Sequence, residues 1–217
     1  YSATTSASVF DAAFTWLQTA RNTPSIRTVK HYHDHPAYIQ ALAQKMKAHW
    51  QQNGQAEKLV MSFHGVPERT LSLGDPYHCE CYKTARLLRE ALGLTPDQVL
   101  VTFQSRLGRA KWLEPYTEPS LIELAKNGLK KVDIVCPGFT SDCLETLEEI
   151  AMEVKHAFLS NGGEQFNYIS CLNDDAVWID AMTQIASEQL LGWTNEIINP
   201  NLLLESRKLA LEMGAKD

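Results

Sequence analysis

The sequence predicts an α/β fold, a doubly wound parallel sheet with helices on both faces, on three observations. Short apolar runs begin near residues 58, 98, 132 and 165, a spacing that suits βαβ units. Segments of helical periodicity fill the gaps between those runs. The chain's 217 residues suit one large α/β domain or two small ones, and 44% hydrophobic with 21% charged residues is an ordinary globular balance.

Taken in order, Val9, Ala13, Trp16, Leu17 and Ala20 fall at helical spacing behind a Ser/Thr-rich cap region. Residues 26–30 form a short extended run, and 38–52 return to a helical pattern. KLVMSF at 58–63, ended by Gly65 and Pro67, is a buried strand entering a loop. A helix over 83–92 stops at Gly93, and QVLVTF at 98–103 is the second strand of the series. Residues 119–126 form a short helix closed by Asn127-Gly128. VDIVC at 132–136 is a strand broken by Pro137-Gly138, followed by one long helix over 141–160 that ends at Asn161-Gly162-Gly163. A strand over 165–171 and a helix over 175–191 complete the pattern. A last helical run over 202–213 has no evident docking site.

Charge and cysteine usage narrow the function. Twenty Lys and Arg against 26 Asp and Glu leave a net charge of −6 and a pI of about 5.7. That balance argues against a nucleic-acid binder, which needs a basic face. No apolar run approaches the roughly 18 residues of a membrane span, and no signal peptide is visible. Five cysteines in an otherwise ordinary composition read as reduced thiols of a cytoplasmic chain. The chain opens at Tyr1 in YSATTSASVF without a methionine, which reads as a fragment whose N-terminal part is missing.

Right-handed crossovers place every strand-to-helix loop at one edge of a parallel sheet, where open α/β sheets bind ligands. That edge collects the loops after Phe63, Phe103 and Cys136. A Gly-rich phosphate loop, a Gly-x-Ser-x-Gly elbow, an HExxH and a paired CxxC are all missing from the sequence. In the first loop, SFHGVP, His64 stands just past a strand. It is either a strand-capping histidine bonded to nearby backbone or a proton acceptor and metal ligand. In the third loop and its helix, Glu145, Glu149 and Glu153 recur at i, i+4 and i+8. On an α-helix each step turns by only about 40° and rises about 6 Å, so the three carboxylates share a face. That row is either a solvated face or, beside His64, a site for Fe²⁺, Co²⁺ or Zn²⁺. Glu145 lies at the helix N-terminus, where negative charge is favoured. In the second loop, Arg106, Arg109 and Lys111 form a basic cluster in an acidic protein. They would attract the carboxylates of a small anionic ligand, unless the loop is merely solubilising, with Trp112 packed into the core.

SFHGVPER, GDPY at 74–77, FQSRLGRAKWLEPYT and CPGFTSDCLETLEE, in this order, with Gly-Gly before the last strand and YISCLND in it and after it, resemble the ferrochelatases of the proteobacterial branch. Those enzymes insert ferrous iron into a porphyrin. The resemblance covers about residues 1 to 193. It implies a flavodoxin-like, chelatase-type fold in two halves, the first largely missing here, with the porphyrin in the cleft between them. It divides the chain into 1–55 (remainder of the N-terminal half), 56–173 (C-terminal half with the metal-site loops), 174–193 (a helix returning to the first half) and 194–217 (a tail). The returning helix is then expected to leave Val177, Trp178, Ala181 and Ile185 uncovered.

The same resemblance implies His64 and Glu145 as the catalytic and metal-site pair. It implies Glu149 and Glu153 as a proton or metal pathway, and Tyr1, Ser105 and Trp112 at the border of the porphyrin. Cys143 stands where animal members carry a histidine. Some members hold an iron–sulfur cluster on C-terminal cysteines. This chain has no Cys after Cys171, so we expect no such cluster, no permanently bound cofactor, and Fe²⁺ as substrate. Protoporphyrin IX and Fe²⁺ are the implied partners, with no nucleic acid, no transmembrane segment, room for a peripheral membrane contact, and a monomer as the favoured state. A cobalt chelatase of corrinoid synthesis and a non-catalytic metal- or tetrapyrrole-binding fragment stand as the alternatives.

Overall fold

The apolar runs form strands because each can be buried on both faces, as parallel strands between helices must be. The computed structural model describes residues 1–193 and 199–216. Its sheet contains β1 (Lys58–His64), β2 (Val99–Gln104), β3 (Lys131–Val135) and β4 (Gln165–Ile169), all parallel, in the order β2-β1-β3-β4. The expected α/β parallel sheet is present. β1 is central, and its last residue, His64, pairs with Gln104 at the end of β2.

Helices α1 (Ser6–Thr19), α2 (Pro36–Asn53), α3 (Arg69–Ser72), α4 (Tyr77–Leu92), α5 (Thr117–Lys126), α6 (Lys155–Ser160), α7 (Ala176–Gln189) and α8 (Pro200–Glu212) surround or flank it. Alternation along β1 sorts the core into two layers. Leu59, Met61 and Phe63 join residues of α2, α4 and α7. Val60 joins Leu121 and Ala125 of α5, with Ile150, Val154 and Phe158 beyond β3. A buried carboxylate on β3 stitches the sheet's other end: Asp133 accepts from the Trp50 indole at 2.7 Å, Ala56 N at 3.0 Å and Asn167 at 2.8 Å.

Several elements differ from the sequence expectation, each for a local reason. The extended run at 26–30 joins no ladder. Instead the Arg27 guanidinium donates to the carbonyls of Gln189 and Leu191 at the end of α7, at 2.6 and 2.9 Å, as cations at helix C-termini do. Helix α4 starts at Tyr77, because Asp75 accepts from the Tyr77 amide at 3.0 Å and supplies a start signal ahead of the polar HCEC stretch. It ends as expected, at Gly93 with φ 70°. The single helix over 141–160 is instead a π-helical stretch, Glu145–Val154, running into α6.

The returning helix is the clearest correction. Trp178 is 3% exposed, and Ala181 and Ile185 are also buried. The covering surface is α2, with Tyr38 and Tyr32 against the Trp178 ring at 5.4 and 6.0 Å. Of the four residues expected to be uncovered, Val177 alone is open, at 41%. α7 also leaves Ile179 and Met182 open, and further open apolar side chains lie on α1 (Val9, Phe14, Trp16) and α8 (Leu202, Leu203, Leu204). Of the tail expected at 194–217, residues 194–198 and 217 lie outside the described residues. Among the described residues no helix is long and apolar enough to cross a membrane.

Candidate functional site

The C-terminal ends of β1 and β2 and the π-helical stretch enclose a groove of about 570 Å³. Its walls include His64, Ser105, Trp112, Glu145, Glu149 and Glu153. Six of the seven residues expected from the sequence are therefore brought together. The seventh, Tyr1, lies in a second cavity, which Phe63 lines together with His31, His33 and Glu80. Because Phe63 and His64 are consecutive in β1, they point to opposite sides of the sheet.

His64 is held in one orientation. Its Nδ1 is 2.6 Å from the Gly65 carbonyl. A carbonyl can only accept, so Nδ1 carries the proton and Nε2 keeps its lone pair in the neutral ring. The strand-capping reading of His64 is thus met at Nδ1, and Nε2 keeps its lone pair. The ring stands between Phe139 and Trp112, with centroids 6.1 and 6.4 Å away. Tyr77, from the GDPY motif, fixes the strand end by donating its hydroxyl to the His64 carbonyl at 2.9 Å. The following glycine is sterically required. A Cβ on Gly65 would stand 2.8 Å from the Gln104 carbonyl oxygen and 3.1 Å from the Trp112 ring. The Gly65 N–H donates to that same carbonyl at 2.7 Å.

Gln104 links the strand ends to the acidic helix. It is buried, accepts from Ser62 Oγ at 2.8 Å, and donates to the Glu145 carbonyl at 2.7 Å. Ser62 also meets Thr117 at 2.8 Å, and Thr117 donates to Thr102 at 3.0 Å. These buried polar groups satisfy one another, as a polar patch under a ligand edge must. Ser105 has φ 62°, in the left-handed region that side chains rarely adopt. Glu149 holds it there, accepting from the Ser105 amide at 2.6 Å and from its hydroxyl at 2.5 Å. Both Glu149 oxygens are therefore engaged.

Glu145 is different. It sits half-buried at the start of the π-helical stretch, and its pKa lies below the usual carboxylate range. The Cys143 thiol contributes most by donating to the carboxylate, its own backbone N–H adds to this, and the nearby His64 adds a smaller attraction. Glu153 is exposed at the far end of the groove. Asp142 is a junction with the end of the sheet. It accepts from Tyr168 Oη at 2.5 Å, Asn173 Nδ2 at 2.7 Å and Cys171 N at 3.2 Å. Burial alone would raise its pKa, but the hydrogen bonds from Asn173, Tyr168 and Cys171 outweigh burial and hold it low.

The basic cluster of the second loop is divided. Arg106 lines the groove, its guanidinium 5.3 Å from the Tyr116 ring centre, whereas Lys111 pairs with Glu68 at 3.0 Å. Three contributors were not legible as site residues: Gln104, Phe139 and the thiol of Cys143. The first two read as strand end and loop. Cys143 stands out in the sequence only as a departure from a histidine, and the turn of the loop brings it to Glu145.

The arrangement defines an α/β protein whose ligand edge offers one histidine nitrogen and a row of carboxylates, a donor set for a divalent metal and for protons. A ferrochelatase family model matches residues 1–190. The chain is 61% identical to a ferrochelatase of Polaromonas sp. over 99% of its length and 59% of that protein's. It is 60% identical to one of Janthinobacterium sp., over 99% of this chain and 60% of the relative. A ferrochelatase of Nitrosomonas europaea is 52% identical over 100% of this chain and 60% of its own length. The chain belongs to the ferrochelatase family, and it spans about 60% of the length of these relatives.

Proposed function

We propose that the whole protein carrying this groove inserts ferrous iron into protoporphyrin IX to form protohaem, as a lyase. The observation that carries the reading is the His64 ring, pinned at Nδ1 by Gly65 with Nε2 left basic, beside a carboxylate whose pKa is lowered. Metallation removes two pyrrole N–H protons as one dication enters, so charge balances. His64 accepts a pyrrole proton, and Glu145 serves as metal ligand or second base. Trp112 and Ser105 border the macrocycle, whereas Tyr1, in the cavity on the other side of β1, is given no part in holding it. Glu153 stands on the route for protons or metal. Glu149 belongs to that route only when it releases Ser105. Iron enters as substrate, and we propose no resident cofactor or cluster.

The names of the relatives favour iron and porphyrin over cobalt and corrinoid. The division at 1–55, 56–173, 174–193 and 194–217 is part of the proposal, supported by the packing of α7 on α2. So is a cytoplasmic monomer with at most peripheral membrane contact. All five cysteines are free, and burial pushes the thiols of Cys81 and Cys171 up to about 12, which suits a reducing compartment. Anaerobic absorbance assays of the full-length protein with protoporphyrin test the reading. Product is expected with Fe²⁺ and with Zn²⁺ as a substitute, and no metalloporphyrin with either ion contradicts it.

A further inference from the structure

Across β1 from the groove, a cavity of about 260 Å³ contains a second set of metal donors that the proposed reaction does not use. Donor atoms of His31, His33 and Glu80 all lie within 4.8 Å of one another. It is the one group of three or more His, Cys, Asp or Glu so placed among the described residues. The groove's own donors make no such compact triad.

The two histidines come from the extended segment between α1 and α2, two residues apart, and their rings meet edge to face at 5.2 Å. Glu80 comes from the first turn of α4 and is only 8% exposed. A buried carboxylate needs positive charge beside it, and here two imidazoles face it. His31 Nδ1 lies 2.9 Å from Oε1 and His33 Nδ1 3.5 Å from Oε2. His33 Nδ1 is itself buried and makes no hydrogen bond. An orphaned ring nitrogen facing a buried carboxylate is unusual in a folded protein, and a cation between them would satisfy both.

We infer that His31, His33 and Glu80 form a second divalent-metal site, separate from the His64–Glu145 groove. Two imidazoles and one carboxylate select a metal of intermediate softness, Zn²⁺, Co²⁺ or Fe²⁺, over Mg²⁺ or Ca²⁺, which prefer oxygen donors. Zn–N bonds of about 2.0–2.1 Å in a tetrahedron set donors about 3.3 Å apart, so the three side chains close in slightly on the ion. A fourth position stays open to water. The ion supplies the counter-charge that the buried Glu80 carboxylate needs.

The test uses Zn²⁺ alone, in calorimetric titration of the full-length protein carrying His64→Ala and Glu145→Gln, which removes the groove's donors. One equivalent of Zn²⁺ is expected to bind, and to raise the melting temperature. Adding His31→Ala and His33→Ala should weaken binding by at least about tenfold and abolish the thermal shift. Both positions lie outside helices and strands, so the fold should survive. Glu80→Gln keeps the shape of the side chain and should weaken binding comparably. Unchanged Zn²⁺ stoichiometry and affinity in the His31/His33 variant overturns the site. Because no turnover is measured, that failure is distinct from failure of the proposed reaction.

Discussion

The two sides of β1 present carboxylates in opposite conditions. On the His64 side, Glu145 and Glu153 line an open groove, and Glu145 is held chiefly by the thiol of Cys143 and its own backbone. On the Phe63 side, Glu80 is buried and faces two imidazoles. An acid that must exchange protons or pass a metal needs solvent and a weakly committed hydrogen-bond shell. An acid that holds a charge in place needs burial and several partners. The groove repeats the contrast on a smaller scale, since Glu149 spends both oxygens on Ser105 while Glu145, one turn earlier, keeps its carboxylate available.

The largest effect that could break this comparison is on turnover. Glu145→Gln in the full-length protein should lower kcat by about 10²–10⁴, the usual contribution of positioned acid–base groups, with porphyrin affinity unchanged in fluorescence titration. Next in size is Gly65→Ala. With backbone oxygen 2.8 Å from the new methyl, overpacking should cost about 1–3 kcal/mol in denaturant melts and move His64 off its position. Glu149→Gln should cost roughly 1 kcal/mol, since one charge-assisted hydrogen bond to Ser105 becomes neutral. It should raise KM for porphyrin more than it lowers kcat, because Ser105 relaxes from its left-handed backbone. Glu153→Gln, with an exposed side chain, should change either constant less than Glu149→Gln does.

The smallest effect is a shift in pH dependence. Cys143→Ala removes the thiol that lowers the Glu145 pKa. The carboxylate then protonates at higher pH, so the acidic limb of metal-ion binding should move upward, with little change on the alkaline side. The sign follows from linkage: a depressed pKa favours the ionised fold above the ordinary carboxylate range, and the benefit is lost as pH falls through the folded value. An unmoved limb would mean that Glu145 does not control metal entry.

How much could be read from sequence follows from which interactions are local. KLVMSF and VDIVC are buried on both faces and QVLVTF, at the sheet edge, over its second half, so an unbroken apolar run is enough to place three strands and their common edge. The last strand was expected two residues too long, because Ser170 and Cys171 are compatible with a strand but meet no ladder partner there. His64 and the glutamate row were legible because residue type and position at the sheet edge suffice. The π-helical stretch was not, since i, i+4 spacing of glutamates reads the same whichever hydrogen-bond pattern the backbone adopts. The cover over Trp178 was missed because it depends on α2 reaching across more than a hundred residues of chain. Glu80 was invisible for a related reason: within HCEC it looks solvated, and only the docking of Tyr1, His31 and His33 makes it a buried charge.

The central claim is that His64 and Glu145 act as one unit on the proton and the metal. A double-mutant cycle on the full-length protein, reading metalloporphyrin formation at saturating protoporphyrin, tests it most directly. The account predicts that His64→Ala and Glu145→Gln each remove most turnover, and that the double variant loses little more than the worse single one, because groups acting together are not additive. Losses that multiply, or near-normal turnover in a folded His64→Ala protein, would contradict it.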